Sequence, residues 1–316
     1  MDNLVFSLNA TVPIFLMMIL GLFFNKIGWM DEEFANKMNK FVFRVPLPVL
    51  LFGDLAVVDI KEAWDTKFVI FCFIITLISI TIAIGISCLL KDRSIQGEFI
   101  QGAYRSSAAL LGIAFIQNIY GTSAMGPLMI VSAVPLYNIF SVIVLTFEGE
   151  NASGEDGKQK IKEACIGIAK NPIILGILAG LIVGLLGIEF PTIINKTVNS
   201  VAQMATPLAL ITIGAGFEGR KALAKIKPTI AASLIKLVIQ PLIFLPVAVW
   251  MGFGGEKMIA ILIMLASPTT PSCYIMAKSM NNDGVLTASV IVTTTLLAAF
   301  TLTGWIFILK SVGLIG

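Results

Sequence analysis

Histidine is absent from all 316 residues. Without an imidazole there is no Ser-His hydrolase, no HExxH metalloprotease and little zinc chemistry to consider. Charge is also scarce. Lys, Arg, Asp and Glu make up 13% of the chain, about half of the roughly 25% usual in a soluble domain. Cysteine is limited to Cys72, Cys88, Cys165 and Cys273, all within or at the ends of apolar segments and none in a CxxC pair. They read as small buried residues rather than a disulfide framework or metal site. No Ser-Lys or paired-Asp arrangement stands at helical spacing, so an intramembrane enzyme lacks its machinery, and the expectation is a protein that is not an enzyme and holds no cofactor.

What is abundant is apolar. Hydrophobic residues make up 57% of the chain and mean hydropathy is +0.93. A spanning helix needs about 20 mostly apolar residues. Ten segments qualify, near 5–25, 34–56, 67–90, 97–119, 124–147, 164–187, 193–216, 227–251, 256–279 and 284–310. The second, fourth, seventh and ninth are the least clean, being interrupted by Pro, Gly, Ser or charge. Met1-Asp2-Asn3 offers no basic leader, and no small-residue cleavage site follows Val5–Phe24, so the first segment reads as a retained helix. The net charge of +3 lies in short loops, as membrane topology demands, and does not signal nucleic acid.

The one long polar connection, 148–163, falls at mid-chain and reads as a linker. It separates a first five-helix unit, 1–147, from a second, 164–316. With the N-terminus outside, inward loops hold 14 Lys and Arg residues against 5 outward, or 12 against 7 when Lys40 and Lys278 are moved. This bias places the linker in the cytoplasm and both termini outside a multi-pass protein of the cytoplasmic membrane. The halves also echo each other. Leu47-Pro48-Val49-Leu50-Leu51 matches Thr206-Pro207-Leu208-Ala209-Leu210 at a displacement of 159, and Gly97-Glu98 matches Gly255-Glu256 at 158. Five is odd, so the second copy is inverted, a pattern of secondary transporters whose sites lie where interrupted helices meet. The fold class expected is therefore all-α and polytopic: ten transmembrane helices in two inverted repeats, with crossed, broken fourth and ninth helices.

The strongest local signal is Ser267-Pro268-Thr269-Thr270-Pro271-Ser272, deep in the ninth segment. Two prolines three apart remove two backbone donors, and freed carbonyls in hydrocarbon need protein or water to satisfy them. A broken-helix binding site is the reading favoured over a simple kink. The corresponding stretch of the fourth segment, Tyr104-Arg105-Ser106-Ser107, has no proline but carries a charge within a span. Arg105 reads either as an anion contact or as a side chain that snorkels or sits in a structural ion pair. Arg44 and Lys236 add two more intramembrane cations, while Asp54 and Glu148 are the only carboxylates near them. That imbalance favours an anionic passenger over a carboxylate-lined cation path. Asn39, Gln101, Asn118 and Asn138 read equally as cavity lining or as interhelical glue.

Asn39-Lys40-Phe41-Val42-Phe43 leading to Leu47-Pro48-Val49-Leu50-Leu51-Phe52, Arg105-Ser106 with Leu111-Gly112, and Lys170-Asn171-Pro172 form an ordered set. Pro207-Leu208-Ala209-Leu210, Lys236-Leu237 to Pro241-Leu242, and Pro268 to Pro271 complete it. In these residues the chain resembles the auxin efflux carrier family, which includes plant auxin exporters and bacterial malate and malonate permease-like proteins. The resemblance implies the ten-helix fold shared with bile-acid symporters and sodium–proton antiporters. It also implies a scaffold of segments 1, 2, 6 and 7 and a moving transport domain of segments 3–5 and 8–10. Gly112-Ile113-Ala114 lacks the proline that many relatives carry there, and Ser106-Ser107 stand where plant exporters place an asparagine, so auxin is not the expected substrate.

The reading is a secondary carrier of a small organic anion, a carboxylate, moving by an elevator mechanism, with H+ or Na+ open as coupling ions. Its expected site is Arg105, Ser106, Ser107, Pro268, Thr269, Thr270, Pro271 and Ser272, with Leu51 and Asn138, and no metal. The expected partners are the anion and the lipid bilayer, with a homodimer left open. A sodium-coupled uptake carrier like the bile-acid symporters is the first alternative, and a non-transporting membrane sensor or scaffold the second.

Overall fold

The computed structural model describes residues 2–56, 64–108, 113–120, 125–147 and 166–315. The 148–163 linker, Glu148 and Cys165 lie outside the described residues. Among those described, every regular element is helical. Five stretches are long and apolar enough to cross a membrane: Thr66–Ser87, Met125–Phe147, Thr192–Ala215, Ile226–Trp250 and Val285–Ser311. The chain is an all-α, multi-pass membrane protein.

The four least regular segments are all divided in the structure, and the sixth is also interrupted, at Asn171. The first segment is α1 (Asp2–Lys26). The second splits into α2 (Glu32–Arg44) and α3 (Pro46–Ala56), since Pro46 cannot donate to the turn before it. After α4 (Thr66–Ser87), the fourth splits into α5 (Gln96–Tyr104) and α6 (Ile113–Tyr120), followed by α7 (Met125–Phe147). In the second half α8 (Pro172–Leu186) precedes the divided seventh segment, α9 (Thr192–Ala202) and α10 (Ala205–Ala215). The short α11 (Gly219–Ala224) leads to α12 (Ile226–Leu234), a π-helical turn at Ile235–Ile239 and α13 (Gln240–Trp250). The ninth splits into α14 (Gly255–Ala266) and α15 (Ser272–Ser279), and α16 (Val285–Ser311) closes the chain.

Two helix pairs pack backbone to backbone, and glycine is the reason. A Cβ on Gly21 of α1 would overlap the Ile211 carbonyl of α10, and one on Gly214 would overlap that of Met18. On α8, Gly176, Gly180 and Gly184 form one stripe, and a Cβ on each would come within 2.5–2.7 Å of the carbonyl oxygens of Pro48, Phe52 and Leu55 on α3. Small residues at four-residue spacing permit such close approach in membranes, where apolar burial gives helices no reason to prefer each other over lipid. Thus α1 with α10 and α3 with α8 form two closely packed pairs.

The remaining long helices surround the fourth and ninth segments, and two glutamates hold them in register. Glu98, 1% exposed, accepts from the backbone N–H groups of Gly284 at 2.9 Å and Thr287 at 2.8 Å, and from the Thr287 hydroxyl at 2.8 Å. It thereby caps the first turn of α16. Glu256, its match in the other half, accepts from the Met125 N–H at 2.7 Å and caps α7. Each satisfies orphan donors and sits at the positive end of a helix dipole. Glu98 corrects the sequence-level expectation that Asp54 and Glu148 were the only intramembrane carboxylates.

Charge gathers at the two ends of the bundle. At one end Lys225 pairs with Asp283 at 2.7 Å, and Lys40, Lys278 and Asp283 line a polar hollow with Asn39. At the other Lys257 pairs with Asp65, and Lys67 donates to the Met251 carbonyl at 2.5 Å. The bond from Lys257 holds the Asp65 carboxyl below the usual carboxylate range. Arg44, expected within a span, is exposed.

Candidate functional site

The ninth segment breaks where its prolines require. Helical geometry would have residue 268 donate to the Met264 carbonyl, and a proline cannot. α14 ends at Ala266 and α15 begins at Ser272, with Ser267 in extended backbone. The freed Met264 oxygen is taken by Ser106 Oγ, by the Tyr137 hydroxyl at 3.2 Å and by Lys236 Nζ at 3.2 Å. Thr269 N–H turns aside to the Thr294 hydroxyl at 3.1 Å, and the Leu265 carbonyl receives Lys236 Nζ at 2.7 Å.

The fourth segment breaks opposite, without a proline. α5 stops at Tyr104, Arg105 is extended, and Ser107 N–H donates to the Pro268 carbonyl at 2.9 Å. Its last carbonyls are answered in turn. Gly102 receives the Thr269 hydroxyl at 2.8 Å, Ala103 receives Gln240 Nε2 at 3.0 Å, and Tyr104 receives Lys236 Nζ at 3.4 Å. The two half-helices therefore cross with their orphan carbonyls met by side chains, as an interrupted helix inside a membrane must arrange.

Lys236 is presented by the π-helical turn before Pro241. That proline leaves the Leu237 carbonyl without its helical donor, and Trp305 Nε1 fills the place at 3.0 Å. Lys236 is fully buried and has no carboxylate within ion-pair distance among the described residues.

Arg105 is 2% exposed, so it does not snorkel, and no described carboxylate pairs with it. Its Nη1 donates to Ser141 Oγ at 3.1 Å and to Met276 Sδ at 2.8 Å. Its Nη2 donates to Asn138 Oδ1 at 3.0 Å and to Ser272 Oγ at 2.7 Å. Neutral groups from α7 and α15 thus fix the guanidinium, and its charge is left uncompensated. Its Nε and the Ser107 Oγ are buried without a partner.

Arg105 and Ser107 both line a cavity of about 80 Å3. One wall is polar and comes from the crossing and α7: Arg105, Ser106, Ser107, Asn138, Thr270 and Ser272, with Tyr137 and Pro271. The other wall comes from α3 and α10, one helix of each glycine-joined pair, and is mostly apolar, with Leu47, Leu50, Leu51, Ala205 and Ala209. Asp54 and Thr206 are its polar members.

Eight of the ten expected site residues therefore line one cavity. Pro268 and Thr269 are not among its lining residues; they bind the two half-helices to each other. Gln101 acts as glue, donating to the Cys273 carbonyl at 3.1 Å and to Thr287 Oγ1 at 3.4 Å. Asn138 does both jobs. Asn39 is buried at the second, polar hollow, and the Asn118 side chain lies outside the described ones. Tyr137, Ser141 and the carbonyl-binding role of Lys236 had no signal in the sequence, because each depends on a partner at least 28 residues away.

The polar crossing over a small cavity is matched by what the whole chain resembles. A family described as membrane transport protein covers residues 6–306. The uncharacterized transporter YfdV of Escherichia coli is 24% identical over 292 residues, covering 88% of this chain and 90% of its own. A Rhizobium meliloti protein named "Putative malonate transporter" is 23% identical over 313 residues, covering 96% of each chain. An uncharacterized transporter of Methanothermobacter thermautotrophicus is 23% identical over 312 residues, covering 96% of this chain and 98% of its own. The chain belongs to the membrane transport protein family, the auxin efflux carrier type that its second, fourth and ninth segments resemble.

Proposed function

We propose that this membrane transporter is a secondary carrier of a small organic anion, a carboxylate, which binds at the crossing of the fourth and ninth segments. The observation that carries the proposal is Arg105: a buried cation with only neutral partners, lining a cavity beside two orphaned donors, its own Nε and Ser107 Oγ. A buried charge without a counter-charge is costly. A carboxylate in the cavity supplies both the missing charge and the missing acceptors. The Rhizobium meliloti relative named for malonate points to the same substrate class.

Ten spans in two inverted repeats are supported by correspondences across the halves. α1 on α10 answers α8 on α3, and Glu98 capping α16 answers Glu256 capping α7. An elevator movement is supported by the two unlike walls of the cavity. The polar wall would travel with the anion along the mostly apolar face of a scaffold made of segments 1, 2, 6 and 7. The Lys and Arg bias supports a cytoplasmic location for the end that carries Lys40, Lys225 and Lys278, with both termini outside.

The test is a counterflow screen of mono- and dicarboxylates in proteoliposomes. At least one small carboxylate is expected to exchange, and Arg105→Ala to abolish saturable exchange at the same concentration. If no organic anion exchanges, the chain is a sensor or scaffold instead.

A further inference from the structure

Lys236 does not line the anion cavity, and the anion reading leaves its charge unused. Its Nζ contacts four oxygens: the Leu265 carbonyl at 2.7 Å, the Met264 carbonyl at 3.2 Å, the Tyr104 carbonyl at 3.4 Å and Ser106 Oγ. Three of them are carbonyls from the C-terminal turns of the two half-helices, α5 and α14. Those turns carry the negative ends of the helix dipoles. Unwound carbonyls and half-helix C-termini are the groups with which transporters coordinate sodium. Here a tethered ammonium, with three donors and one positive charge, stands among them.

We infer that the crossing contains a monovalent-cation cradle and that the chain's own Lys236 ammonium permanently fills it, so the crossing works without a bound sodium ion. The inference rests on the carrier reading for its consequence in transport, but the cradle itself can be tested without transport. A covalently attached cation cannot leave with the passenger. It neutralises the crossing in every state of the cycle and contributes no ion gradient to the work.

The test begins with thermal unfolding of the purified full-length protein in detergent, in sodium, potassium, methylammonium or choline chloride at matched ionic strength. The wild-type midpoint is expected to be the same in all four. Lys236→Ala removes the ammonium and opens its space. In choline it should lose roughly 5–10 °C, and sodium or methylammonium, but not choline, should restore at least half of the loss in a saturable manner. Lys236→Met keeps the bulk of the stem and fills that space, so it should be destabilised without rescue. If Lys236→Ala cannot be isolated in choline, the same rescue is read as yield of folded protein in the other salts. If it cannot be isolated in any salt, the wild-type response decides alone.

A wild-type midpoint that rises saturably with sodium overturns the inference, as does a Lys236→Ala protein that responds to no cation. Wild-type counterflow should run equally well with and without sodium. Absence of all counterflow would instead overturn the carrier reading and leave the unfolding result standing.

Discussion

The backbone N–H of Ser107 donates to the carbonyl of Pro268 at 2.9 Å, across 161 positions of sequence. It is a strand-like bond between two interrupted helices, and it ties the unwound stretch after α5 to the break that the prolines impose on the ninth segment. The fourth segment needs no proline of its own because the ninth supplies the acceptor that draws its backbone out of the helix. Replacing Pro268 and Pro271 together by alanine returns two donors to the ninth segment, and position 268 can then claim the Met264 carbonyl. Membrane expression should survive while carboxylate counterflow collapses. Counterflow at the wild-type rate would show that the passenger does not sit at the crossing.

Arg105 is the sharpest site prediction. If a carboxylate completes its hydrogen bonding, Arg105→Ala should weaken anion binding by about 1.5–3 kcal/mol, the usual worth of a charge-assisted hydrogen bond. Arg105→Lys should recover only part, since an ammonium lacks the planar fork that reaches Ser141, Asn138 and Ser272 at once. Affinity by competition, with the variants at matched expression, distinguishes these outcomes from a purely structural loss.

Asp54 is the one carboxylate among the described residues lining the cavity. It lies on α3, in the other wall from Arg105, and no described side chain forms an ion pair with it. If Lys236 fills the cation cradle, Asp54 is the group on which proton coupling is to be tested. Asp54→Asn should keep counterflow of the anion but lose accumulation driven by an imposed pH gradient. Undiminished accumulation in that variant would remove the proton from the cycle.

The glycine contacts make a stability prediction independent of transport. Gly21→Ala and Gly180→Ala place a methyl group against backbone carbonyls, which cannot rotate away as a side chain can. Each should cost about 1–3 kcal/mol or more and lower the thermal midpoint. Gly85→Ala, with nothing within 4 Å of its added Cβ, should be neutral or slightly stabilising in its helix. Equal midpoints for all three would mean that the close helix pairs are not those described.

Orientation is tested on exposed described residues. On a cysteine-free background, Lys37→Cys should be protected from an impermeant thiol reagent in intact cells, and Lys196→Cys should be labelled. The reverse pattern would invert the molecule in the membrane.

Much of this arrangement can be read from the chain. The four segments that look least regular all break; in the second and ninth, Pro46 and Pro268 act through local backbone chemistry that any sequence displays. The Gly-Glu pairs are visible as a repeat, but their purpose is not. Glu98 finds its donors 186 and 189 positions later, and no local pattern announces a cap supplied from so far away. Arg105 can be seen but not interpreted, since snorkelling and burial differ only in what surrounds the guanidinium. The approach of Gly176, Gly180 and Gly184 to α3 was not read from the sequence, because it depends on a partner distant in the chain.

The reciprocal caps also bear on how the protein is made. The ribosome completes α7 well before it reaches Glu256, 131 positions downstream of the amide that this carboxylate will accept. Until then the first turn of α7 waits in the translocon's surroundings without its acceptor. α16 meets the opposite circumstance, because Glu98 is already in place when Gly284 and Thr287 emerge. Each cap thus joins residues made far apart in the course of synthesis. Two halves synthesised as separate chains should therefore mature only in each other's company.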